Sequence, residues 1–180
     1  LYISLLIQRL NMMDTEELRK AMNEEEIVAL GTGIIREMPE ETEVAIVSII
    51  QDGMGKISES EEELYEALQY IAISRNGLRM SDLQGIFAAA GKVLPALDLT
   101  LLMKYLDSFF YVHEDDRIDF THKVIRQGML KELTDREAKE EVIKEQLKTL
   151  DVADGLQIRE GMYFARICKD EEFARNLIGV

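Results

Sequence analysis

A mainly α-helical fold with one small β-hairpin is what these 180 residues predict. Three observations lead there. Proline occurs only at positions 39 and 95, so helices meet few hard stops. Apolar residues recur at i, i+3 and i+4 along most of the chain, the spacing of one helix face. A single stretch breaks that period: an apolar run at 109–112, the polar turn Glu114-Asp115-Asp116-Arg117, and a second short run, Ile118-Asp119-Phe120. Two short runs around a polar turn read as a β-hairpin.

The elements follow in order. Residues 1–12, LYISLLIQRLNM, are apolar almost all round, as a buried helix would be. Asp14 is placed to cap a short helix, TEELRKAM, with Glu17 completing a capping box. Asn23 and Glu26 stand in the same relation ahead of IVALGTGIIREM, a helix weakened by Gly31 and Gly33. Pro39 suits the first position of another helix, with Glu40, Glu41 and Glu43 in its first turn, running through VAIVSII to about Gly53. Residues 53–58, GMGKIS, read as a loop and a domain boundary.

Ser58 or Ser60 then caps EEELYEALQYIAIS, whose apolar positions 64, 65, 68, 71 and 72 share a face. Asn76-Gly77 makes a turn, and Ser81 caps DLQGIFAAAG, closed by Gly91. Asp98 caps LTLLMKYLDSFF, and the hairpin follows. His122 stands at the mouth of a helix over 123–133, Asp135 starts a long charged helix to about 150, and two more lie near 157–168 and 170–178. About ten helices and one two-stranded ribbon result. Helix–helix–helix–hairpin over 57–133 is the layout of a winged-helix domain. The organisation read from sequence is a helical subdomain at 1–56, the winged helix at 57–133, and a helical segment at 134–180 that begins a solenoid.

Charge narrows the function classes. The net charge is −14. Residues 1–56 carry 5 basic and 11 acidic side chains, residues 57–122 carry 5 and 12, and residues 123–180 carry 11 and 12. The winged-helix region is thus the most acidic third, and a phosphate backbone is repelled by it. Its third helix offers Asp98, Thr100, Lys104, Asp107 and Ser108, a poor set for reading a DNA groove. A DNA-binding transcription regulator is therefore the alternative that charge disfavours.

Chemistry-bearing motifs are scarce. The segment 53–58 has the wrong spacing for a P-loop, which needs Gly, four residues, then Gly-Lys-Ser/Thr. Two histidines, His113 and His122, and one cysteine, Cys168, form no metal-ligand pattern. No Gly-x-Ser-x-Gly elbow is present, so no catalytic residue and no enzyme activity are expected of this chain. A lone cysteine at helical spacing reads as a small buried hydrophobe, and it excludes an internal disulfide, as in a reducing, cytoplasmic compartment. No run of about 18 apolar residues is present to span a bilayer. The chain opens directly on an apolar helix and stops just after an apolar residue, and is read as a piece of something longer.

The order of segments resembles the region that follows the nucleotide-binding core in NACHT-type STAND NTPases, a family of signal-transduction ATPases. LYISLLIQRL looks like the helix written P-L-Y-L-x-L-L-x-x-E-L in that family. LYEALQYIAISRNGLRMSDL resembles the first half of its winged helix, and DFTHKVIRQGMLKEL resembles the closing F-x-H motif with its amphipathic helix. GMYFARICKDEEFARNL looks like the helical pairs of the downstream solenoid. The resemblance implies a lid or arm that controls a nucleotide-dependent switch. It implies that His122 reaches the β-phosphate of ADP, and that ATP or ADP is held by the parent protein while this chain holds no cofactor. The implied partners are the upstream nucleotide-binding domain of the same chain and other proteins or further copies, with no membrane. The family's P-loop and its magnesium-binding acidic strand are missing here. His113 has no counterpart in the motif and is expected to be structural. A helical interaction scaffold without nucleotide is the remaining alternative.

Overall fold

The computed structural model describes residues 2–13, 15–21, 23–150 and 154–179, with the side chains of 2 and 15–17 outside the description. Among these residues there are eleven α-helices and one small sheet, as a mainly α chain with a hairpin requires. The N-terminal helices are α1 (Tyr2–Asn11), α2 (Thr15–Lys20), α3 (Glu24–Glu37) and α4 (Thr42–Ile57). Then come α5 (Glu61–Ile73), β1 (Leu78–Arg79), α6 (Met80–Ala89) and α7 (Ala96–Tyr105). A single 3-10 turn at Asp107–Phe109 leads to β2 (Phe110–Val112), β3 (Arg117–Phe120) and α8 (Lys123–Lys131). The chain closes with α9 (Arg136–Thr149), α10 (Gly155–Ile167) and α11 (Glu171–Ile178). Among the described residues no helix is long and apolar enough to cross a membrane.

Two helices form the centre. From α4 come the buried Ala45, Ile46, Ile49, Ile50 and Met54, and from α5 come Leu64, Ala67, Leu68 and Ile71. α4 packs against α1, α5, α7 and α8. Each fully buried aliphatic contributes about 1.5–3 kcal/mol relative to an exposed one, so these two helices carry much of the fold. α8 lies close on α4 because Gly128 lets it: a Cβ there would stand 3.0 Å from the Glu43 carbonyl oxygen.

The sheet has three antiparallel strands in the order β1-β3-β2, one more than the ribbon expected from sequence. Leu78 pairs with Ile118, and Phe110 pairs with Phe120. A two-residue strand shows no period of its own, and only pairing with β3 makes it visible. Gly77 turns the chain into β1 at φ +77°, and a Cβ there would sit 2.3 Å from the Ile118 carbonyl oxygen. Only glycine meets both demands.

Several local expectations change. α1 is not apolar-buried all round. Leu5 and Met12 are buried, while Ile3 and Ile7 face outward at 72% and 55% exposure. Pro39 does not open α4. It stops α3, because the residue before a proline avoids the helical region and Met38 is extended at φ −65°, ψ 132°. α4 starts three residues later, at Thr42. Residues 53–57 are not a loop but the last turns of α4, with Gly53 buried against Leu102 of α7 and Leu106 just beyond its end.

At α6 the cap is Arg79 rather than Ser81, with the Asp82 carboxylate accepting from the Arg79 amide at 2.8 Å. α7 begins after Pro95, and Asp98 lies inside its first turn. Cys168 is half-buried at the end of α10, where desolvation pushes its thiol up to about 11. The expected Asn23 cap is present, accepting from the Glu26 amide at 2.9 Å. Gly91 closes α6 at φ +70°, with Lys92 N–H donating to the Phe87 carbonyl at 2.8 Å. The Asp14 cap lies outside the described residues.

Candidate functional site

His122 is the N-cap residue of α8, at the joint between β3 and that helix (φ −131°, ψ 137°). Backbone on both sides holds the joint. The Thr121 amide donates to the Phe109 carbonyl at 3.0 Å, and its hydroxyl donates to the Ser108 carbonyl at 2.7 Å. The His122 carbonyl accepts from the Ile125 amide at 3.0 Å. The imidazole is exposed and makes no capping hydrogen bond.

Behind the joint, Arg126 is the bolt. Its guanidinium pairs with the Asp119 carboxylate of β3 and donates to the carbonyls of Ile71, Ala72 and Ser74 at the end of α5. One side chain therefore fastens β3, α8 and α5 together. It satisfies α5 carbonyls that have no partner in their own helix, and it neutralises the only acid on β3. In front, α8 has no acidic residue in its first turn, and the exposed Lys123 follows His122. The joint thus carries an exposed imidazole, an exposed ammonium on the next residue and the positive end of a helix. Such a joint can receive an anion. The neighbouring shallow cavity of about 200 Å³ is lined by Tyr111, His113, Asp119, Phe120 and Thr121.

His113 lies just past β2, edge-on to Tyr111 with ring centroids 4.8 Å apart. Its Nε2 is 3.9 Å from the nearer Asp119 oxygen and has no hydrogen-bond partner. His122 does not line the cavity that His113 lines. Among the described residues no group of three or more His, Cys, Asp or Glu is arranged to hold a metal ion.

The hairpin tip is occupied. Asp115 receives Arg117 Nε at 2.8 Å and Arg159 Nη1 of α10 at 3.4 Å. Arg117 also donates to the Asn76 carbonyl. Glu160, fully buried on α10, accepts from the Arg75 amide at 3.1 Å and from the Asn76 amide at 3.1 Å and side chain at 3.0 Å. Asp154 adds a pair with Arg79 at 3.1 Å. α10 thereby grips both the hairpin tip and the turn before β1. Neither Arg126 nor Glu160 was singled out from sequence. Both act across 50 residues or more, and no local pattern marks them. No protein-family model, curated protein or solved structure matches the chain.

Proposed function

We propose that the chain is the regulatory arm of a STAND-type ATP-binding signalling protein of the cytoplasm. In this reading, residues 57–133 are a winged helix used as a lid over a nucleotide held by an upstream domain. The observation that carries it is the cationic β3–α8 joint. On a chain of net charge −14, His122 and Lys123 stand at a helix N-terminus whose first turn is free of acid, an arrangement that suits a diphosphate. The exposed Ile3, Ile7, Ile27, Val28 and Ile35 of α1 and α3 support the same reading, as the face on which the upstream domain would rest. The switch is a population shift: nucleotide favours the closed lid, and its loss frees the arm to turn and to meet partners.

DNA reading is opposed by an acidic hairpin tip already held by α10, and by an α7 whose outward face offers a single cation, Lys104. A helical scaffold without nucleotide is the second reading, favoured by the same exposed aliphatics. The test joins this chain to its natural upstream domain and measures ADP affinity by calorimetry. A charge-assisted hydrogen bond contributes about 1.5–3 kcal/mol, so His122→Ala weakens ADP by about tenfold or more. Equal affinities remove His122 from the mechanism.

A further inference from the structure

The geometry points to a docking face on the outer side of α7 for a basic amphipathic helix of a partner protein. Leu97 and Leu101, one turn apart on α7, are 70% and 42% exposed, and Val93, in the non-helical segment before Pro95, is 85% exposed. The inner face of the same helix buries Leu99 and Leu102, so its anchoring needs none of the three outer residues. At one end of this ridge, Ser60, Glu63, Gly91, Lys92, Val93 and Pro95 line an open cavity of about 460 Å³. A ridge of aliphatics ending in a notch is what an apolar helix face fills, with one large side chain in the notch.

The rim fixes the sign of the partner. The first turn of α5 carries Glu61, Glu62 and Glu63, and Glu59 precedes it. That turn is tied to α7, because the Ser58 hydroxyl donates to the Asp98 carboxylate. The cation lining the notch, Lys92, is already engaged by Glu66 at 2.5 Å, and the exposed Lys104 stands at the far end of the ridge, two turns beyond Leu97. A second copy of the chain would bring the same carboxylates and be repelled, as would a nucleic acid or an anionic bilayer. Lysines or arginines flanking an aliphatic stripe complement the face in both respects. This inference does not depend on the nucleotide reading, since it uses neither His122 nor an upstream domain.

The probe is a fluorescein-labelled leucine–lysine peptide of about 18 residues with leucines at i, i+3, i+4 and i+7, read by anisotropy against the whole chain. A scrambled peptide of equal composition is the reference. The amphipathic peptide binds more tightly than the scrambled one. Leu97→Ser with Leu101→Ser weakens it by about tenfold, through lost apolar contact. Glu59→Lys with Glu62→Lys weakens it by a similar factor and flattens its salt dependence. Ile7→Ser with Val28→Ser, on the other exposed aliphatic face, leaves it unchanged. All these positions are exposed, so circular dichroism stays native; if a double variant unfolds, Leu97→Ser alone gives the reading. Equal binding of the scrambled peptide overturns the inference. So does undiminished binding by the leucine variant, or tighter binding of duplex DNA or phosphatidylserine vesicles than of the peptide.

Discussion

The helices α1 to α3 and the body from α4 to α10 are held in different ways. α3 buries no residue at all, and α1 enters the core through Leu5, with Met12 buried just beyond its end. The body has a continuous apolar core, and it also has directional ties. Arg126 fastens α8 to α5, and Glu160 fastens α10 to the turn before β1. Apolar patterning brings a helix to a surface but leaves it free to slide or turn. A buried charged group with several fixed partners allows one placement only. The first region, tied mainly through α1 by half-buried contacts such as Gln8 Nε2 to the Tyr105 carbonyl at 3.1 Å, is therefore held more loosely than the second.

The largest test of that contrast is a pair of truncations. Phe87 is buried and stands edge-on to Tyr70 at 6.0 Å, so Phe87→Ala costs about 3–5 kcal/mol in urea unfolding. Ile27→Ala on α3, where the side chain is 43% exposed, changes stability by about 0.5 kcal/mol or less. Similar losses at both positions would erase the distinction. Next comes the tie itself. Glu160→Ala strands the donors of Arg75 and Asn76 and costs about 2–4 kcal/mol, while Glu160→Gln keeps an acceptor and costs less. Hydrogen exchange at the Arg75 and Asn76 amides reads this directly, and unchanged protection in the alanine variant would show that the tie is dispensable.

Two helix glycines give a smaller test with opposite signs. A Cβ at Gly33 of α3 meets nothing within 4 Å, so Gly33→Ala stabilises by about 1 kcal/mol. At Gly128 of α8 the same methyl meets the Glu43 carbonyl of a packed helix, so Gly128→Ala destabilises by about 1 kcal/mol or more. Thermal melts of both variants suffice, and equal signs would sink the comparison.

The smallest effect is a pH response at the end of the chain. Lys148, with the Phe173 amide and Lys144, holds the Asp170 carboxyl down at about 2. A depressed acid contributes stability above its unfolded value of about 4 and loses it as pH falls towards 2. α11 therefore loosens from α9 in that window, which proton NMR of Phe173 detects, and salt weakens the effect because the pair is only partly buried. A Phe173 signal unchanged down to pH 2 would count against the Lys148–Asp170 pair.

Much of the fold was legible because its signals are local. The Asn23 cap, the Gly91 stop, the hairpin turn and the helix after His122 each rest on residues a few positions apart. What escaped depends on partners far along the chain. β1 exists only because β3 pairs with it, and GMGKI stays helical with Gly53 buried under Leu102 and Leu106. At the site, the position of His122 followed from the strand–helix junction. The role of Arg126 behind it did not, since an arginine in an amphipathic helix is ordinarily solvated.

Glu160 has a consequence for how the molecule is made. Its carboxylate reaches the Arg75 amide across 85 residues. A chain emerging from the ribosome must therefore hold the Asn76 turn without its acceptor until α10 has been synthesised. The sheet can be sketched early, but it is sealed late.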